Sequence, residues 1–322
     1  MNEITIGRGA RLDPIKFQDP DQTADGSPRA QVALERLDTL WFNTGTLCNL
    51  ECKNCYIESS PTNDRLVYLR AAEVDTFLNE INSLQLGTRK IGFTGGEPFM
   101  NPDFIAMLWS TLERNFETLI LTNAMRPMAK CADALLNLPT LFRGRLTFRV
   151  SLDHYTKPGH ERIRGDRSWG PAIAGLKWLS DNGFAISAAS RTCWDQDETQ
   201  MRNGFTELFA TENIHIDGQN PASLILFPEM DETLDIPEIT ERCWGILNVS
   251  PKDIMCAQSR MVVKRKGDNA PTVSPCTLLP YAEAFDLGTT LRNALSPVKL
   301  NHPHCAKFCV LGGASCSISA DM

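Results

Sequence analysis

The chain has 322 residues, 42% of them hydrophobic and 22% charged, which is enough for one large α/β domain with an extra lobe and excludes a disordered or fibrous protein. No apolar run approaches the ~18 residues that span a bilayer, and the N-terminal residues lack the basic start and apolar core of a secretory signal, so a cytoplasmic protein is expected. A net charge of −7 argues against general affinity for nucleic acid or an anionic membrane surface.

Residues 1–37 carry Asp, Gly and Pro clusters without periodicity and read as an irregular leading segment. From there β-prone runs at 38–46, 90–94, 118–122, 145–152, 184–190 and 223–227 alternate with helix-like stretches at 71–84, 102–115, 128–138, 171–182 and 198–211. Strand, crossover helix and strand repeated six times predicts a parallel sheet curved into a partial (β/α)6 barrel of the TIM type over residues 38–228, since a full barrel takes ~250 residues. Residues 229–250 read as a linker with one short helix. Residues 251–322, rich in Pro, Gly and Cys, read as a small lobe organised by a metal centre.

Cysteine is over-represented, with 11 residues, an odd number that complete disulfide pairing cannot satisfy. Cys48, Cys52 and Cys55 fall on one loop after the first strand, at the C-terminal mouth of the barrel, where such folds build active sites. Structural zinc is closed by four ligands, whereas a C-x3-C-x2-C loop without an adjacent fourth ligand suits a cluster with one metal position open. Five more cysteines, Cys256, Cys276, Cys305, Cys309 and Cys316, crowd the last quarter. Cys131 reads as a small core residue, and Cys243 has no assigned role. Lys264-Arg265-Lys266 reads as a solvated hairpin turn or a dock for an acidic electron carrier.

The C-x3-C-x2-C loop, followed at the end of the second strand by Gly95-Gly96-Glu97-Pro98, resembles the radical S-adenosylmethionine enzymes over the barrel region. The resemblance implies a [4Fe–4S] cluster on Cys48, Cys52 and Cys55 with S-adenosylmethionine on its open iron, reductive cleavage to a 5′-deoxyadenosyl radical, and hydrogen abstraction from a substrate. It implies that Gly95, Gly96, Glu97 and Pro98 meet the methionine amino group, that Thr122, Asn123 and Ser151 contact ribose or the methionine carboxylate, and that Arg164, in His160-Glu161-Arg162-Ile163-Arg164-Gly165, grips that carboxylate. Asn54 stands where many members have an aromatic residue. Catalytic side chains are not named by the sequence. Asp153 is a candidate by position, with His154 and Tyr155 beside it, and Cys193 is either a core residue or a thiol at the barrel mouth.

The C-terminal cysteines, with Val273-Ser274-Pro275-Cys276 and Leu287-Gly288, resemble the SPASM and Twitch auxiliary-cluster lobes of the same superfamily. Five cysteines suffice for a second, auxiliary [4Fe–4S] cluster with one left over; the alternative is a zinc site, with His302 and His304 as further ligands. The auxiliary-lobe resemblance favours a peptide or protein substrate over a small-molecule or cofactor-pathway one, and flavodoxin or ferredoxin as electron donor. A non-catalytic iron–sulfur or zinc protein is the third possibility.

Overall fold

The computed structural model describes residues 10–314 apart from 193 and 230. Its strands are β1 (Gln31–Val32), β2 (Thr39–Asn43), β3 (Lys90–Thr94), β4 (Glu117–Thr122), β5 (Leu146–Ser151), β6 (Ala185–Arg191), β7 (Leu224–Phe227), β8 (Ser259–Val263), β9 (Thr272–Ser274) and β10 (Val298–Lys299). Helices α1 (Ala71–Ser83), α2 (Phe104–Glu113), α3 (Arg126–Ala129), α4 (Ala132–Leu136), α5 (Thr140–Arg143), α6 (Lys157–Arg164), α7 (Trp169–Asp181), α8 (Glu198–Thr211) and α9 (Cys243–Leu247) complete the set.

The main sheet has the order β7-β6-β5-β4-β3-β2-β8-β9, and every pair in it is parallel except β8 with β9. The six strands expected from the sequence are β2 to β7, in chain order across the sheet. Their C-terminal ends therefore share one rim, and the loops that follow them meet there. β2 is buried along its whole length because helices cover one face and the barrel interior the other. Stacked and edge-on contacts among Phe42, Phe93, Phe104 and Phe99 fill the space between sheet and helices.

Two features differ from the sequence expectation. The stretch 128–138 is cut at Cys131, whose backbone N–H bonds Met128 three residues back, so short α3 and α4 replace one helix. The region after residue 250 does more than surround a metal centre: β8 lies parallel to β2 and extends the barrel sheet, and a second apolar cluster gathers Trp41 and Leu119 with Met261, Val263, Leu278 and Phe308. The leading segment closes this cluster from outside. β1 pairs antiparallel with β10, and the buried Arg29 holds Glu238 at 2.6 Å.

Gly175 shows how closely α7 approaches the rim. A Cβ there would lie 1.7 Å from the backbone oxygen of Ala124, in the loop after β4, whereas a Cβ on Gly170 of the same helix would meet nothing within 4 Å. Gly→Ala inside a helix normally stabilises by about 0.5–1 kcal/mol. Gly175→Ala should destabilise by ~1–3 kcal/mol, the cost of overpacking, while Gly170→Ala, in the first turn and before Pro171, should stay within about 0.5 kcal/mol of the parent. Denaturant midpoints of the two variants check the difference.

Candidate active site

After β2 the chain runs through Thr44 to Leu47 against the end of β3. Thr44 N–H donates to Thr94 O at 2.8 Å, Gly96 N–H to Gly45 O at 2.8 Å and Glu97 N–H to Leu47 O at 3.2 Å. Gly95 has φ +140°, and a Cβ on Gly96 would sit 2.3 Å from Leu47 O. The two glycines thus let the Gly95-Gly96 backbone touch the backbone that leads into the cysteine loop. This is a packing role that the motif alone does not reveal.

The cysteine loop is held from several sides. Cys48 N–H donates to Ser60 O at 3.0 Å and Lys53 N–H to Ile163 O of α6 at 2.8 Å. Arg191, at the end of β6, donates through Nη1 to Lys53 O at 3.0 Å and Asn54 O at 3.1 Å. From the tail, Tyr281 Oη donates to Ile57 O at 2.7 Å. Burial pushes the Cys48 thiol up to about 12, and burial also raises Cys52, partly offset by the Arg164 charge. The Cys48, Cys52 and Cys55 thiols influence one another electrostatically, so they share one neighbourhood.

Glu97 is buried, and its carboxylate accepts from Phe99 N at 3.3 Å, Thr122 Oγ1 at 2.8 Å and Asn123 N at 2.8 Å. It braces the end of β3 against the end of β4. Asn123 Nδ2 reaches Asn49 Oδ1 at 2.9 Å and lies 3.9 Å from Cys48 Sγ, which brings two of the motif segments onto the cysteine loop.

Asp153, two residues beyond β5, is buried and paired with Arg164 of α6 (Nε to Oδ2, 2.6 Å) and Arg191 (Nε to Oδ1, 3.3 Å). Burial alone would raise its pKa, but the two guanidinium groups outweigh that and hold it below the ordinary carboxylate range. An ionised carboxylate locked between two cations is a positioning element rather than a proton carrier. The Nε edge of Arg164 is therefore taken by Asp153. His154 stacks on Tyr155 and meets Gln196 Oε1 at 3.1 Å, inside a packed cluster with Trp194.

These groups border a cavity of about 140 Å³ at the barrel mouth, lined on the polar side by Arg149, Ser151, Asp153, Arg164, Ser190 and Arg191. Tyr56, Leu121, Phe227, Leu278 and Phe308 form its apolar side. Arg149 and Arg191 were not singled out by sequence. A charged residue inside a β-run, as in the Leu146–Ser151 strand, was the available signal.

In the tail, Cys256, Cys276, Cys305 and Cys309 line a second cavity whose other walls include Ile254, Leu279, Val298, Leu300 and His304. Cys305 and Cys309 are four apart on one π-helical turn, Cys305–Leu311, which brings both to the same cavity. All four are buried, and burial pushes Cys256 up to about 11 and Cys305 well above the usual thiol range. Among the described residues no three thiols lie within 4.8 Å of one another. Four cysteines around one cavity are a donor set that a four-thiolate cluster or a zinc ion would use. Cys193 and Cys316 lie outside the described residues.

His302, His304 and Glu232 do come within 4.8 Å of one another. However, His302 Nδ1 accepts the His304 backbone N–H at 3.1 Å, which leaves the proton on Nε2, the atom facing Glu232 at 3.5 Å. That nitrogen is oriented as a donor to the carboxylate and not as a metal ligand. The basic run is also engaged: Lys264 with Glu73, Arg265 with Asp286 and Lys266 with Asp64, at 2.6–2.7 Å. Its charges are spent within the chain.

Burial raises the Glu97 carboxyl to about 7, against bonds from Asn123, Thr122 and Phe99 that lower it. A folded-state pKa above the unfolded value means stability that is present below pH ~4.5 and lost as pH rises through ~7. Unfolding of the apoprotein should therefore show a fall of up to ~3 kcal/mol across that window. Glu97→Gln should flatten it, as read by denaturant titration at several pH values.

Comparison with known proteins agrees with this geometry. Residues 42–192 match the model of the radical SAM superfamily. The chain is 27% identical over 154 residues to the antilisterial bacteriocin subtilosin biosynthesis protein AlbA of Bacillus subtilis (46% of this chain, 32% of that protein). It is 25% identical over 138 residues to the GTP 3′,8-cyclase of Shewanella denitrificans (42% of this chain, 39% of that protein). It thus spans about a third of the length of these curated relatives. Among solved structures, Streptococcus suis SuiB bound to its precursor peptide SuiA superposes with a TM-score of 0.58 at 14% identity, over 80% of this chain and 63% of that one. The AdoMet-bound anSMEcpe superposes with a TM-score of 0.55 at 13% identity, over 84% of this chain and 82% of that one. The cysteine loop, the Gly-Gly-Glu-Pro edge and strands β3 to β6 all fall within residues 42–192, so this part of the chain carries the radical SAM domain.

Proposed function

We propose that this chain is a radical S-adenosylmethionine enzyme with a catalytic cluster on Cys48, Cys52 and Cys55 and an auxiliary cluster on Cys256, Cys276, Cys305 and Cys309. The observation that carries the reading is the shared wall: Leu278 lines both the mouth cavity and the four-cysteine cavity, so a substrate at the mouth would lie between the two thiol sets. When bound, the catalytic cluster and S-adenosylmethionine would supply a 5′-deoxyadenosyl radical able to abstract a substrate hydrogen.

The chain's own residues do the positioning. Arg149, Arg164 and Arg191 line the mouth beside Asp153, and a guanidinium fork there suits the methionine carboxylate. The Nη side of Arg164 is the proposed contact, with Asp153 fixing the fork through Nε. Glu97, with Thr122 and Asn123 behind it, would set the edge that meets the methionine amino group. The apolar wall of Tyr56, Phe227, Leu278 and Phe308 excludes water from the reacting atoms.

A peptide or protein segment is the favoured substrate. Its support is the bacteriocin-biosynthesis relative and the four-cysteine tail. A small-molecule substrate is the second reading, favoured by the relative that acts on GTP. An electron donor such as flavodoxin or ferredoxin is required by the reductive step.

Anaerobic reconstitution followed by iron analysis should give about eight irons per chain, and dithionite with S-adenosylmethionine should release 5′-deoxyadenosine. Cys52→Ala should abolish that release and retain about four irons; undiminished release sinks the loop assignment. Arg164→Ala should weaken S-adenosylmethionine binding by ~1.5–3 kcal/mol, the scale of a charged hydrogen bond, checked by equilibrium dialysis. To separate substrate classes, deoxyadenosine formation is measured with cell extract before and after protease digestion. Stimulation that protease removes supports a peptide, and stimulation that survives supports a small molecule.

A further inference from the structure

Arg260, on β8, is fully buried. Its guanidinium donates only to backbone carbonyls: Nε to Ala294 O at 2.7 Å, Nη1 to Cys256 O at 2.5 Å and Ser259 O at 2.8 Å, and Nη2 to Ser296 O at 3.1 Å. The buried Arg29 and Arg202 and the half-buried Arg164, by contrast, each hold a carboxylate within 2.7 Å. Among the described residues none pairs with Arg260.

Carbonyl dipoles orient a buried cation without neutralising it, and a buried charge without a counter-charge is costly. Nη1 rests on the backbone oxygen of Cys256, and the Cys256 and Cys276 thiols are the groups whose charge Arg260 feels. Both thiols line the four-cysteine cavity. At neutral pH the guanidinium stays charged, so the fold keeps a fixed positive charge against one side of that cavity.

We infer that Arg260 is the built-in counter-cation of the four-cysteine centre, stabilising its thiolates and raising the reduction potential of the group they hold. A four-thiolate cluster is anionic and becomes more so on reduction, and net charge is one of the quantities that sets its potential. A neighbouring cation favours the reduced form. The inference rests on the auxiliary-cluster reading above and deepens it by naming what tunes that centre.

The test uses the full chain with Cys48, Cys52 and Cys55 all changed to Ala, reconstituted with iron and sulfide, so that the tail centre alone is titrated by potentiometry with EPR detection. Arg260→Gln should shift the reduction equilibrium at least tenfold toward the oxidised form, a drop of at least 59 mV for one electron. Arg260→Lys, which keeps the charge, should stay within about threefold of the parent. A Gln variant that fails to take up iron while Lys succeeds also supports the charge role. A Gln variant with full iron and an unchanged potential overturns it, as does a failure of both variants to assemble, which would make the carbonyl contacts the essential feature. If the parent tail takes up zinc instead of iron, the auxiliary-cluster reading fails by itself. The charge role is then read as a tenfold loss of zinc affinity in Gln and not in Lys, and equal affinities overturn it.

Discussion

One buried carboxylate organises the mouth of the barrel. Asp153 sits between Arg164 and Arg191, and each of those arginines belongs to an element that also holds the cysteine loop: α6 through Ile163 O to Lys53, and β6 through Arg191 to Lys53 O and Asn54 O. The ends of β5 and β6 and helix α6 are thereby fixed relative to the cysteine loop. Removing one partner from such a set leaves the others buried and uncompensated, a loss of ~3–5 kcal/mol in comparable buried pairs. Loop position and cofactor grip therefore stand or fall together.

The two thiol sets sit in different electrostatic settings. Burial dominates at the loop thiols Cys48 and Cys52, and charges of both signs act on them, Arg164 on both, Glu97 on Cys48, and Asp153 and Arg191 on Cys52. The tail thiols lie in an apolar cavity, and Arg260 acts on Cys256 and Cys276 there. A loop that must accept and release a charged cofactor gains from mixed, partly exposed charges. A centre that stays closed gains from an apolar shell and one fixed cation.

Much of the barrel was legible because its signals are local. Alternating apolar runs marked β2 to β7, and α8 coincides with the expected stretch because Asp197 caps it in a reciprocal pair with Gln200. The loop cysteines and Gly95-Gly96-Glu97 were legible because their spacing is short. What escaped was long-range. Nothing in Ser259–Val263 says that it will pair with β2, more than 200 residues earlier, rather than stand in its own lobe. Arg191 carries no sequence signal until the fold sets it beside Lys53, nor does Arg260 until β8 is buried. The helix over Lys157–Arg164 was obscured by Pro158 and Gly159, which fit its first turn, where Pro needs no N–H partner.

Topology also decides whether the thiols serve one centre or two. β2 and β8 are parallel, with Phe42 opposite Val262. Cys48 follows the C-terminal end of β2, and Cys256 precedes the N-terminal end of β8. The two cysteines are thus displaced to opposite ends of a strand pair about 16 Å long at ~3.3 Å per residue. Leu278 stands between the mouth cavity and the four-cysteine cavity. That separation is a consequence of β8 joining the barrel sheet, and it makes an open catalytic site and a closed second site compatible within one fold.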